Sequence, residues 1–255
     1  EYAQHLPTVE IDTFFYALPQ EATIQKWLGE VSPSFQFIVK AHRGMTLHER
    51  GQEKGALAQL FKRYKNVIAP LVAAGQLKTI LFQFPPYFAA STEDIEYLRL
   101  VRTWMGKLPV AIELRNQTWY RPGTVKSLVA FCHDLHFTLV AADEPHGIIA
   151  SVPFYLVTTN PGLVLLRLHG RNTSGWVNQD KSWRKTRTLY RYSTAELEQF
   201  KKQITTLTPQ PRELCVIFNN NSAKDAAPNA LQLQKMLGIH FTGLAPHSPE
   251  QLNLF

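Results

Sequence analysis

Apolar positions along the chain fall into short stretches that alternate with period two and longer ones with helical period. In Leu163-Val164-Leu165-Leu166-Arg167-Leu168-His169-Gly170-Arg171, four aliphatic residues lead into an alternation. Val164, Leu166 and Leu168 share one face of a strand, and Leu165, Arg167 and His169 share the other. Such a segment reads as a buried strand whose last residues carry polar groups into a site, with Gly170 releasing the chain. The pattern recurs. Val110 to Arg115 sets Glu113 and Arg115 on one face, Phe35 to His42 leaves Lys40 and His42 together, and Val9 to Asp12 brings two carboxylates, Glu10 and Asp12.

Between these strands lie amphipathic stretches. The spacing predicts strands over 6–15, 35–41, 77–84, 108–115, 137–142, 163–168 and 213–218, and helices over 20–28, 53–74, from 92, over 122–135, 194–207 and 223–237. Pro85-Pro86 stops the third strand, Pro122 opens a helix, and Thr194 is expected to cap another. An insertion rich in Trp, Arg and Lys separates the sixth strand from its helix. Strands alternating with helices imply parallel pairing and right-handed crossovers.

Seven such units point to a TIM-type (β/α) barrel or a long doubly wound sheet. The chain has no Gly-x-Gly-x-x-Gly and no Walker lysine loop, and its polar strand ends are spread along its whole length; both favour the barrel, where every strand ends at one mouth. The count is one strand short. Either a strand precedes Glu1, which is the preferred reading, or 239–244 closes the ring. Residues 1–245 then form a single barrel domain and 246–255 an extended, proline-containing tail.

Five ordered motifs resemble the DUF72 family, also called YecE-like proteins: Val9 to Tyr16, Phe82-Gln83-Phe84-Pro85-Pro86, Ile112-Glu113-Leu114-Arg115, His169-Gly170-Arg171 and Phe218-Asn219-Asn220. The resemblance covers nearly the entire chain and implies a TIM-type barrel. It also implies an opening strand with a Gly-Thr-Ser-Gly-Trp-like motif, which this chain lacks. It implies no reaction.

At a barrel mouth, Glu10, Asp12, Lys40, His42, Gln83, Glu113, Arg115, Asp143, Arg167, His169 and Asn220 would converge. Glu113 and Asp143 are the carboxylates read for proton transfer, with His169 or His42 as base. Arg115, Arg167 and Arg171 are read as phosphate or carboxylate anchors and Trp119 as an aromatic contact. The competing reading is that pairs such as Glu10–Lys40 and Glu113–Arg167 merely satisfy one another. No cofactor is expected. A divalent metal is the lesser option, with His42, Glu113, Asp143 and His169 as donors, because no local metal-binding signature is present.

Composition changes this picture modestly. The 255 residues carry a net charge of +7, which favours a phosphate-bearing or nucleic-acid partner, although the basic residues are dispersed. No apolar run approaches the roughly 18 residues of a membrane span, no signal-peptide pattern is visible, and Cys132 and Cys215 read as buried thiols, so a cytoplasmic protein is expected. The tail ends in Gln251-Leu252-Asn253-Leu254-Phe255, which resembles the peptide by which bacterial polymerases and repair proteins dock on the replication sliding clamp. Gln251, Leu252, Leu254 and Phe255 would be its docking residues. The expectation is a phosphate- or nucleic-acid-directed hydrolase or lyase. The alternatives are a non-catalytic binder of nucleic acid or phospholigands, and a barrel enzyme acting on a small sugar-like substrate.

Overall fold

The computed structural model describes residues 2–49, 51–177, 186–220 and 223–245. Eight strand segments, all parallel, occur in chain order: β1 (Thr8–Ile11), β2 (Gln36–Lys40), β3 (Leu77–Gln83), β4 (Val110–Glu113), β5 (Phe137–Leu139), β6 (Ala141–Asp143), β7 (Val164–Leu168) and β8 (Leu214–Phe218). They form two sheets, β1-β2-β3-β4-β5 and β6-β7-β8. Helices α1 (Glu21–Glu30), α2 (Lys54–Ala73), α3 (Thr92–Met105), α4 (Pro122–Asp134), α5 (Thr173–Val177), α6 (Thr194–Thr206) and α7 (Ala226–Met236) connect and cover them.

Local chemistry accounts for the helix starts. Ser91 accepts the Asp94 N–H, Pro122 supplies the fixed φ of a first turn, and Ser193 with Glu196 forms a reciprocal capping box. Ser193 is therefore the cap of α6, and Thr194, expected in that role, is its first helical residue. Among the described residues no helix is long and apolar enough to cross a membrane.

The α/β order is as the pattern predicts, but the described strands do not close a ring. The predicted fifth strand is interrupted at Val140, whose N–H still reaches Ile112 O while the chain passes from partner β4 to partner β7. Strands β1 and β8 are each paired on one side only. Along the gap between them runs a cavity of about 560 Å³, lined by residues that include Val9, Glu10, Val216, Phe218 and Leu233. Residues 239–244 contain no strand, so that alternative closure does not occur.

The alternation of each strand sorts the core into layers. Ile38, Leu81, Ala111, Val140, Leu165 and Cys215 meet in one apolar cluster on the inner faces of the two sheets. The outer faces pack under the helices: Phe37, Val39, Ile80, Phe82 and Ile112 belong to the large cluster beneath the first four, and Leu168 joins Tyr192, Leu197 and Phe200 beneath α6. Two residues beyond the inner apolar layer on β2, β3, β4 and β7 come Lys40, Gln83, Glu113 and Arg167. The polar site thus rests directly on an apolar floor.

Gly170, two residues past β7, has φ +88°, and a Cβ there would lie 2.5 Å from Tyr190 Cβ. Gly170→Ala should lower the unfolding free energy by about 1–3 kcal/mol, read as an earlier midpoint in urea at unchanged slope. An unchanged midpoint would mean that Tyr190 yields without cost.

Candidate functional site

Arg167 is wholly buried at the centre of the inner face. Its Nε and Nη2 donate to the two Glu10 oxygens at 2.8 and 2.5 Å, and its Nη1 donates to Glu113 Oε2 at 2.5 Å. Burial alone would depress its pKa, but Glu10 and Glu113 overcome that and hold it charged. Glu113, equally buried, receives three further donors on Oε1: Gln83 Nε2 at 3.0 Å, Arg115 Nη1 at 3.1 Å and His169 Nε2 at 3.2 Å. Desolvation opposes its charge, yet Arg167 and His169 outweigh it and keep the carboxyl well below its ordinary range. Burial, against the pull of Glu113, lowers His169 to about 3, so the ring is neutral. Asn219 Nδ2 lies 3.0 Å from His169 Nδ1, which fixes the tautomer: Nδ1 accepts from the amide, and Nε2–H donates to Glu113.

One residue of this constellation, Glu144, is not among the sequence candidates. Counting by two from Val140 along the inner face gives Ala142 and then Glu144; Asp143 points to the opposite face with Ala141. Glu144 is buried, with Oε2 accepting the Val152 N–H at 3.1 Å and Oε1 lying 2.7 Å from Arg115 Nε. That last approach is out of line for a hydrogen bond and leaves both atoms without one. Burial, reinforced by Glu113 and opposed by Arg115, pushes the Glu144 carboxyl up to about 7.

Asp143 instead anchors a second network. It accepts from Arg171 Nε and Nη2 and from the Tyr192 hydroxyl at 2.7 Å. Arg171 Nη1 continues to Glu196, which also accepts from the Tyr190 hydroxyl. Asp143 and Arg171 are therefore spent on one another. Asn220 is buried in the same neighbourhood, donating to Tyr190 O and to Asn229. Its neighbour Asn219 is the one that reaches the central cluster.

The remaining sequence candidates divide. Lys40 lies 3.1 Å from Asp12 at the mouth, 5.0 Å from the centre of the Phe15 ring. Lys40 thus pairs with Asp12 rather than Glu10. His42 stays outside the cluster, its Nδ1 accepting the Gly44 N–H in a local turn. His48, in the same loop, packs edge-on against Phe15, bonds Thr46, and is lowered to about 4 by burial and by Lys40 and Arg115. Trp119 is core, stacked on Phe88 with its indole N–H donated to Phe88 O. Gln251, Leu252, Leu254 and Phe255 lie outside the described residues.

Glu113, Glu144 and His169 each offer a ligand atom, all within 4.8 Å of one another, so the donor set suits a divalent cation. Arg115, paired to both carboxylates, occupies the same face. Of the four donors expected from sequence, His42 and Asp143 are outside this group.

Removing one partner of a buried ion pair leaves the other uncompensated. Glu113→Gln should cost about 3–5 kcal/mol in urea unfolding. Because the folded Glu113 titrates below its unfolded value, its contribution is complete above the unfolded pKa and disappears as pH falls through the folded one. The variant should therefore lose less stability than the wild type on acidification; equal acid sensitivity of the two proteins would sink this account.

Comparison with known proteins agrees with the architecture. The family model for DUF72, described as a protein of unknown function, matches residues 1–253. UPF0759 protein YunF of Bacillus subtilis (strain 168) is 40% identical over 257 residues, covering all of this chain and 90% of that one. A crystal structure of a DUF72 family protein from Enterococcus faecalis V583 superposes with a TM-score of 0.89 at 39% identity, over 97% of this chain and 90% of the other. One from Thermotoga maritima MSB8 gives 0.78 at 29% identity, over 91% and 85%. The five motifs, the parallel α/β order and these matches agree: the chain belongs to the DUF72 family.

Proposed function

We propose that the chain is a phosphate- or nucleic-acid-directed enzyme of the hydrolase or lyase type, with Glu144 as its proton-transfer group. The supporting observation is the contrast among the buried carboxylates. Glu10, Glu113 and Asp143 have both oxygens engaged by arginine or other donors in good geometry. Glu144 has one oxygen on a backbone N–H and the other beside Arg115 without an aligned bond. A carboxyl so placed is free to take up or release a proton, and its raised titration range agrees with that role. Lys40 and Arg115 supply positive charge for an anionic substrate, and the net charge of +7 favours its approach. Glu113 is then a fixed anionic support for Arg167, Arg115 and His169.

A second reading, a non-catalytic phospholigand or nucleic-acid binder, is favoured by the extent of mutual pairing around Arg167 and Arg171. One experiment separates the two. Wild type and Glu144→Gln are incubated with phosphomonoesters, phosphodiesters and single- and double-stranded oligonucleotides. The enzyme reading expects turnover of at least one class, reduced about 10²–10⁴-fold in the variant. Equal rates in both proteins overturn the role of Glu144. Saturable binding without turnover establishes the binder.

We also propose that Gln251, Leu252, Leu254 and Phe255 dock on a bacterial sliding clamp. The support is the sequence Gln-Leu-Asn-Leu-Phe following a segment with two prolines, Pro246 and Pro249. Deleting residues 251–255 should abolish clamp binding in surface plasmon resonance and leave the melting temperature unchanged. Unaltered affinity after the deletion rules the docking out.

A further inference from the structure

Arg115 holds a position that its shape fits poorly. Its guanidinium lies between two buried carboxylates, with Nη1 donating to Glu113 Oε1 at 3.1 Å and Nε 2.7 Å from Glu144 Oε1. Only the first contact is an aligned hydrogen bond; Glu144 Oε1 is buried and accepts none. A planar fork donates along fixed N–H directions, so closeness without alignment gains Coulomb attraction and forgoes the bond. A spherical ion imposes no such directions. The gap between these carboxylates calls for a cation, but not for a guanidinium.

The third side of the gap is an imidazole. Ligand atoms of Glu113, Glu144 and His169 all lie within 4.8 Å of one another, and His169 Nε2 is 3.2 Å from Glu113 Oε1. Two donors at that separation, each about 2.1 Å from one ion, subtend roughly 100° at it, which suits tetrahedral and octahedral shells alike. Donors sharing such an ion lie no more than about 4.2 Å apart, so Glu144 completes the set by moving less than about 1 Å.

The partners of these groups permit the exchange. His169 holds its proton on Nε2 and accepts on Nδ1 from Asn219 Nδ2. Asn219 is half-buried. Turning its amide over presents Oδ1 to the ring, moves the proton to Nδ1 and leaves Nε2 as a ligand, with no change in proton count. Glu113 keeps Arg167 on Oε2 and Gln83 on Oε1. Arg115 retreats toward the Trp176 ring, which its guanidinium already faces at 4.9 Å.

We propose that Glu113, Glu144 and His169 bind a divalent transition-metal ion in place of the Arg115 guanidinium. The imidazole in the set favours Zn²⁺ and its first-row neighbours over Mg²⁺ or Ca²⁺, which prefer oxygen alone. The site itself stands on this geometry; its consequence rests on the reading of Glu144 as the proton-transfer group. An ion on that carboxyl takes it out of proton transfer, so the ion-bound form is the inactive one.

The test uses the full chain, stripped of metal by a chelator, with Zn²⁺ as the probe in isothermal titration calorimetry. Wild type should bind Zn²⁺ saturably, with Mg²⁺ failing to compete at equal concentration. Glu144→Gln and His169→Gln should each bind at least tenfold more weakly. Arg115→Gln should bind at least tenfold more tightly, because the competing cation is gone; a merely structural Arg115 gives no such gain. Asn219→Asp, which sets a carboxylate against Nδ1–H, should also tighten binding, and it carries the test if Glu144→Gln or His169→Gln does not fold. Absence of saturable binding in wild type overturns the proposal, as does unchanged affinity in Arg115→Gln. Equal affinity of wild type, Glu144→Gln and His169→Gln, as surface histidines would produce, overturns it too. Binding that follows these variants while turnover is undiminished by Zn²⁺ removes the acid–base reading of Glu144 and leaves the metal site standing.

Discussion

The arrangement depends on one buried guanidinium. Arg167 comes from the three-stranded sheet, and its two carboxylate partners, Glu10 on β1 and Glu113 on β4, both come from the five-stranded one. The pairing links the sheets across the interior, and the Glu10 arm reaches a strand that has no backbone partner on that side. A charge at zero exposure is tolerated only while its donors remain matched. The identities of Glu10, Glu113, Gln83 and His169 are thereby bound to one another. Hydrophobic burial supports the arrangement from below, since the layer of Ile38, Leu81, Ala111 and Leu165 sets the height at which the polar layer begins.

Much of this was legible in the sequence because strands alternate. The inner-face pairs Ile38 and Lys40, Leu81 and Gln83, Leu165 and Arg167 follow from period two once one member is assigned inward. The same rule, carried through the break at Val140, selects Glu144 over Asp143. Asp143 lies at the end of the same strand but on the opposite face, with Ala141. His42 lies beyond β2, where the turn, not the pleat, decides direction, and its Nδ1 is taken up by the Gly44 N–H. Trp119, expected as an aromatic contact, is buried against Phe88 by a short helical turn that the sequence pattern does not mark. The closure of the strands was not legible. Pairing between the first and last strands is a property of the assembled sheet, to which no local pattern corresponds.

The two networks divide the mouth into unequal parts. Around Arg171, the guanidinium, Asp143 and Glu196 are matched to one another, and Tyr192 extends the arrangement to the Gly170 N–H. This half is a frame that holds the end of β7 and the segment leading into α6. Around Arg115 the matching is incomplete, and the shortfall falls between its Nε and Glu144 Oε1, which approach without an aligned bond. The alignment of the charged partners is a better guide to chemistry here than the number of charged residues.

The single-sided pairing of β1 and β8 has a consequence for how the molecule breathes. Amide hydrogens on the outer edges of these strands depend on side-chain cover alone, while those of β3 and β4 are enclosed by neighbours on both sides. Solvent exchange should therefore run in a gradient, fastest along the seam and slowest at the middle of the five-stranded sheet. The Arg167–Glu10 pair sits beside that seam, so a wholly buried charge adjoins the edge where backbone pairing is one-sided.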